Sequence, residues 1–258
     1  MKIVIVGLGN IGTWFVSVLG RFDEIFLYDI DSNKKKLYPH ARFLSGFEEL
    51  KKIKPDMVLN AVSIKETIPV FNKIIEYISS DCILADVVSI KREISLFYSR
   101  NTMRYVSLHP MFGPNFKNMK NLKDEEVILI SESCEEGLLY FRTLFKHTGI
   151  KVRELTFREH DELMLHSLGV PYFMAFLFSS IEDNSDVPGA SYSKYKELAA
   201  KVLSEDENLL CEVLFNMGVD DRFEIVYKKT NEIRDIILNK DYKNALRLLD
   251  KVKKRYIS

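Results

Sequence analysis

The chain has 258 residues, of which 47% are hydrophobic and 29% charged, enough apolar side chains for one large domain or two modest ones. Lys plus Arg and Asp plus Glu each number 37, so no net field draws the chain to nucleic acid or to a membrane surface. Cys82, Cys134 and Cys211 are far apart and form no C-x-x-C pair. That excludes a disulfide framework or a zinc site as the organising feature and fits a reducing cytoplasm.

"KIVIV" (2–6) is a short β-branched run that predicts a strand, and the glycines after it cut the apolar stretch too early for a signal peptide. "GLGNIG" (7–12) makes a tight turn, "TWFVSVLGRF" (13–22) a helix, and "EIFLYD" (24–29) a second strand. The alternation continues with strands at "DMVLNAV" (56–62), "CILADVV" (82–88), "RYVSL" (104–108), "EVILIS" (126–131) and "KVRELT" (151–156). Helices are expected at "KETIPVFNKIIEYI" (65–78), "KREISLFYSR" (91–100) and "EEGLLYFRTLFKHTG" (135–149), the last closed by Gly149. The strand runs are apolar throughout, as parallel strands covered on both faces are. Repeated βα units predict a doubly wound, Rossmann-type α/β domain over residues 1–156.

Beyond residue 156 only helical spacing remains, which predicts an all-helical domain over 157–258. "EHDELMLHSLGVPYFMAFLFSSIED" (159–183) reads as a long helix kinked at Pro171. Its most apolar part, about Leu168 to Ile181, is short for a bilayer span and reads as buried helix. Four more helices are expected within 191–257, separated in part by "DVPGA" and "MGVDD". The apolar content of this half predicts packing on the first domain and on a second copy, a homodimer.

G-x-G-x-x-G at Gly7, Gly9 and Gly12 follows a strand and opens a helix, the context in which the pattern binds a dinucleotide. Gly7 suits the turn, Gly9 the approach of a pyrophosphate and Gly12 close helix–strand packing, with Asn10 and Ile11 in the helix's first turn. Asp29 ends the second strand 17 residues beyond Gly12, placed to accept bonds from the ribose hydroxyls of NAD and to repel the 2′-phosphate of NADP. The bland reading of Asp29 is a turn aspartate in "DIDSN", and the lysines of "SNKKK" keep NADP open. Three strand ends carry polar residues that could meet a substrate: "NAVSIKE", "ADVVSIKRE" and "SLHPMFG". His109 in the last is a structural histidine or a base above the nicotinamide.

Together these segments resemble the prephenate/arogenate dehydrogenase family. The likeness rests on "HPMFGP" (109–114), "DVVSIK" (86–91), "EHDELM" (159–164) and, more weakly, "AAKVLSEDENLLCEVLFNM" (199–217). The resemblance implies NAD-dependent oxidative decarboxylation of prephenate in tyrosine biosynthesis, with arogenate as the alternative substrate. It implies His109 as the base on the ring hydroxyl, with Ser89 bonded to the imidazole or to that hydroxyl. It also implies substrate contacts from His160, Tyr172 and Lys201. Tyr172 stands where the family often has a histidine and Lys201 where it has an arginine, so a hydrogen-bond donor and a point charge replace a cation and a bidentate fork. His160 with Asp161 also reads as an ordinary helix-start pair. Lys91 reads equally as solvated or catalytic, His166 as a core or interface histidine, His40 and His147 as surface residues, and Trp14 as packing on the sheet or the helical domain. Two other readings stay open. One is a different two-domain dehydrogenase, disfavoured by the lack of lysine between Arg158 and Glu182. The other is a non-catalytic nucleotide-binding relative.

Overall fold

A computed structural model describes residues 1–112, 122, 125–182, 189–217 and 222–256. Among these residues eight strands form one sheet in the order β3-β2-β1-β4-β5-β6-β7-β8. They are β1 (Lys2–Val6), β2 (Glu24–Tyr28), β3 (Arg42–Phe43), β4 (Met57–Asn60), β5 (Ile83–Asp86), β6 (Tyr105–Pro110), β7 (Glu126–Ile130) and β8 (Lys151–Leu155). The first six run parallel, but β7 pairs with β6 antiparallel, opposing His109 to Ile128, and β8 follows β7 in parallel. The expectation of an all-parallel sheet is therefore corrected at this edge. β7 is as apolar as its parallel neighbours because it too is covered on both faces, so composition carries no sign of the reversal. β3 was also unforeseen: two residues leave no period to read.

Two apolar layers cover the sheet. On one face α1 (Asn10–Leu19) and α5 (Glu135–Thr148) pack Trp14, Phe15, Phe141 and Phe145 against Ile3, Ile5, Ile83, Val106 and Leu108. On the other, α2 (Leu50–Ile53), α3 (Ile64–Ile74) and α4 (Arg92–Ser99) pack Leu50, Phe71, Ile74, Phe97 and Tyr98 against Val4, Val58 and Leu84. Trp14 belongs wholly to the first layer, edge-on to Phe15 and Phe112 at 4.7 and 5.0 Å. Gly149 ends α5 with φ 79°, as its position in the sequence predicts.

Among the described residues after Leu155 every element is a helix: α6 (Phe157–Met164), a π-helical turn (Leu165–Gly169), α7 (Val170–Ile181), α8 (Ala190–Leu203), α9 (Glu207–Met217), α10 (Arg222–Leu238) and α11 (Tyr242–Tyr256). Thr156 starts α6 through a capping box in which its hydroxyl accepts the Glu159 N–H and its own N–H donates to the Glu159 carboxylate. The break expected at Pro171 appears as the π turn just before it, which accommodates the proline's missing N–H and the clash of its ring with the preceding turn. By length and composition alone, Phe157–Ile181 could cross a membrane; it is a longer stretch than the apolar run from Leu168 to Ile181. Its first turns are instead tied to the sheet domain, with the Phe157 N–H on the Glu132 carboxylate and Asp161 on the Lys91 N–H. The expectation of a buried helix fails for α7, where Ala175 alone is buried.

Candidate functional site

In a sheet of this order, ligands lie outside the carboxyl ends of the strands, where the winding reverses between β1 and β4. The glycine turn sits there. Gly7 has φ 90°, and a Cβ on it would lie 2.8 Å from the Val62 nitrogen. A Cβ on Gly12 would lie 1.9 Å from the Gly7 carbonyl oxygen, so this glycine is required by packing alone. A Cβ on Gly9 would meet nothing within 4 Å. Gly9 is the exposed N-cap of α1 and supplies no side-chain cap, and beside it Asn10 is exposed and Ile11 half-buried. Asp29, immediately after β2, accepts the Leu8 N–H on Oδ2 at 2.6 Å and the Asp31 N–H on Oδ1 at 2.8 Å. Its carboxylate is held beside the glycine turn, and each oxygen keeps a lone pair for a ribose hydroxyl. These residues fit a dinucleotide.

Three strands along, the end of β6 brings His109 to the same edge, with 7% of the residue exposed. Its Nδ1 lies 3.0 Å from Nε2 of His160, whose Nδ1 lies 3.0 Å from Oδ1 of Asp161. The carboxylate only accepts, so it fixes the tautomers along the line. His160 carries its proton on Nδ1, accepts at Nε2, and requires His109 to donate from Nδ1. His109 Nε2 is left unprotonated, and among the described residues no partner hydrogen-bonds to it. Burial, the adjacent His160 and the Lys91 charge hold His109 well below the usual histidine range. Burial also lowers His160, against the opposing effect of its bond to Asp161. Both rings are therefore neutral at pH 7, and His109 presents a lone pair.

Several candidate residues sit otherwise than their sequence readings suggest. His160 was expected to touch substrate, but it has no exposed surface and both its nitrogens bond to protein. It stands behind His109 as its hydrogen-bond acceptor. Ser89 was expected to bond to the imidazole or to a substrate hydroxyl; His160 takes Nδ1 of that ring and leaves Nε2, and Ser89 is half-buried in the loop between β5 and α4. Lys91 is not solvated: it is fully buried and ion-paired to Asp86 at 2.7 Å. His166 is exposed, which removes its core reading. Tyr172 is half-buried in the first turn of α7, its hydroxyl raised by burial and by the charge of Glu205. Lys201 is exposed in the last turn of α8, a helix packed on α7. Gly113 and Pro114 of the histidine motif lie outside the described residues. The residues missed by sequence reasoning were Asp161 as an anchor, Asp86 and Tyr98. The T-x-x-E pattern at 156–159 could have fixed the start of α6, but nothing in the sequence pairs that helix with β6.

The family profile "Prephenate dehydrogenase, nucleotide-binding domain" matches residues 17–153. The chain belongs to the prephenate dehydrogenase family. A curated relative in Methanocaldococcus jannaschii, a probable arogenate/prephenate dehydrogenase, is 24% identical over 98% of this chain. The chain spans 60% of that relative's length. In fold, it superposes on the family's prephenate dehydrogenase from A. aeolicus in complex with hydroxyphenyl propionate and NAD+, at TM-score 0.78 and 19% identity, covering 99% of this chain and 96% of the other. The Synechocystis arogenate dehydrogenase matches at TM-score 0.74 and 17% identity over 99% and 98% of the two chains. The family match covers Ser89 and His109, while the glycine turn and the His160–Asp161 pair lie outside it.

Proposed function

We propose that this protein is an NAD-dependent prephenate dehydrogenase, with arogenate as the alternative substrate. The observation that carries the reading is the His109–His160–Asp161 line, which leaves His109 Nε2 unprotonated on a residue at the carboxyl end of β6, the end of the sheet that also carries the glycine turn. In this reading Gly9, with the N–H groups of Asn10, Ile11 and Gly12, holds the pyrophosphate, and Asp29 holds the adenosine ribose and disfavours a 2′-phosphate. Bound NAD supplies the hydride acceptor. His109 Nε2 takes the proton from the ring hydroxyl of prephenate as hydride departs from the same carbon, and loss of CO2 then makes the ring aromatic. Ser89 hydrogen-bonds to that hydroxyl and orients it. His160 and Asp161 stabilise the imidazolium once the proton has arrived.

Tyr172 stays protonated at neutral pH and donates to a substrate carboxylate, and Lys201 supplies the point charge. The exposed apolar faces of α7 and α10 support a homodimer formed through the helical half. The test is formation of NADH from NAD with prephenate, and separately with arogenate. Turnover that is lost in His109→Ala supports the reading; no turnover of either substrate sinks it.

A further inference from the structure

Lys91 is fully buried, and its contacts have an uncommon layout. Its ammonium donates to Asp86 Oδ1 at 2.7 Å and to the Leu108 carbonyl at 2.8 Å. Its main-chain N–H donates to Asp161 Oδ1 at 3.2 Å. Asp86 is itself held, accepting the Tyr98 hydroxyl on Oδ2 at 2.9 Å and the Val88 N–H on Oδ1 at 3.3 Å. The Leu108 carbonyl belongs to the peptide that joins Leu108 to His109. One residue therefore grips the main chain that carries the first imidazole and also the carboxylate that orients the second.

Stability gives no reason for this arrangement. A buried ion pair seldom improves on well-packed apolar side chains of the same volume. We infer that Lys91 is a positioning residue for His109, fixing both ends of the imidazole line across the junction of sheet and helical half. The inference rests on the reading of His109 as the base. The charged groups around the line are Lys91 beside α4, Asp86 at the end of β5, and Asp161 on α6. Among them the ammonium opposes a second positive charge on either ring, and so keeps the lone pair of His109 available near neutral pH.

The test compares the full-length wild type with Lys91→Met and with the double variant Lys91→Met/Asp86→Asn, which leaves no buried carboxylate unpaired. Two readouts are taken: the titration midpoint of the His109 ring by nitrogen-resolved NMR without substrate, and kcat and KM against pH. In both variants the His109 midpoint and the acid limb of kcat/KM are expected to move to higher pH. The kcat is expected to fall by about 100-fold through misplacement of the ring, with KM little changed. If Lys91→Met fails to fold, the double variant decides. A folded variant whose His109 midpoint stays in place overturns the inference, whether or not kcat falls. The titration needs no turnover, so inactivity of the wild type toward prephenate and arogenate would refute the proposed function and still leave Lys91 open to judgement.

Discussion

The sheet-bearing half covers both faces of its strands, and most residues of β1, β4, β5, β6 and β7 are fully buried. The helical half has nothing comparable. Among its described residues beyond α6, the buried hydrophobics are Ala175, Ala199 and Val213. Phe176, Ile181, Phe215, Ile225, Ile237 and Leu238 are more than half exposed. The first half is a finished core; the second is a set of helices that pack on one another yet leave many large apolar side chains exposed among the described residues. The His109–His160–Asp161 line lies on the seam between them, with His109 from the first and His160 and Asp161 from the second. The placement of the proposed base thus depends on how well the less complete half is held.

The largest expected effect lies in the finished half. Gly12→Ala would push a methyl group into the Gly7 carbonyl, 1.9 Å from its oxygen and 3.0 Å from its carbon, with the Ala61 Cβ at 3.4 Å and no flexible side chain to yield. Overpacking of that kind costs about 3 kcal/mol or more. The expected outcome is a clear drop in melting temperature together with loss of NAD binding by calorimetry. A variant that melts and binds like wild type would show that the glycine turn is less rigid than described.

On the seam, His160→Phe keeps the ring's bulk and removes the acceptor for His109 Nδ1. Activity is expected to fall by about 100-fold, with NAD affinity unchanged. Asp161→Asn should lose less. Oδ1 faces two N–H donors, from His160 and Lys91, so the amide would keep its oxygen there and preserve both tautomers. The negative charge would be lost while the bonds on Oδ1 are kept. If Asp161→Asn proved as damaging as His160→Phe in steady-state assays, the carboxylate would matter through its charge and the tautomer argument would fail.

The incompleteness of the helical half can be tested by assembly. Phe223, Tyr227, Ile233 and Ile237 fall along one side of α10 and are all more than 40% exposed. Ile233→Glu/Ile237→Glu is expected to convert a dimer to a monomer in sedimentation equilibrium. The fold of the sheet domain should be retained, because exposed substitutions away from a contact cost within about 0.5 kcal/mol. A wild type that sediments as a monomer at micromolar concentration would remove the dimer and leave these faces unexplained.

The same division governs what could be read from sequence. The βα alternation, the glycine turn, Asp29 and His109 are local signals: each is a residue type at a spacing that constrains a turn or a strand end. The reversal of β7, the burial of Lys91 and the pairing of His109 with His160 are not. They depend on which elements meet after folding, and the two histidines are 51 residues apart. The pair "HD" at 160–161 offers two local roles, helix start and substrate contact, and its actual partner is visible only once α6 lies beside the end of β6. Lys91 misleads for the same reason. A lysine opening a helix is usually solvated, and only the carboxylate at the end of β5 and the carbonyl from β6 allow it inside.

Ser107 gives the smallest expected effect and the finest probe of the finished half. It lies on β6 two residues before His109, with no exposed surface, and its Oγ is the buried side-chain polar atom without a hydrogen-bond partner among the described residues. Its main-chain N–H is separately satisfied by the Ser133 hydroxyl at 3.0 Å. Ser107→Ala would therefore remove a desolvated hydroxyl and break no bond. Stability is expected to hold or rise by up to about 1 kcal/mol in urea unfolding, with the kcat of the reaction unchanged. A loss of more than that would mean the hydroxyl is satisfied by an ordered water, and so that a polar path runs beneath His109 along the face where Asp86 lies opposite Ser107 in register. A loss of activity without a loss of stability would place that water in the hydrogen-bond system of the base itself.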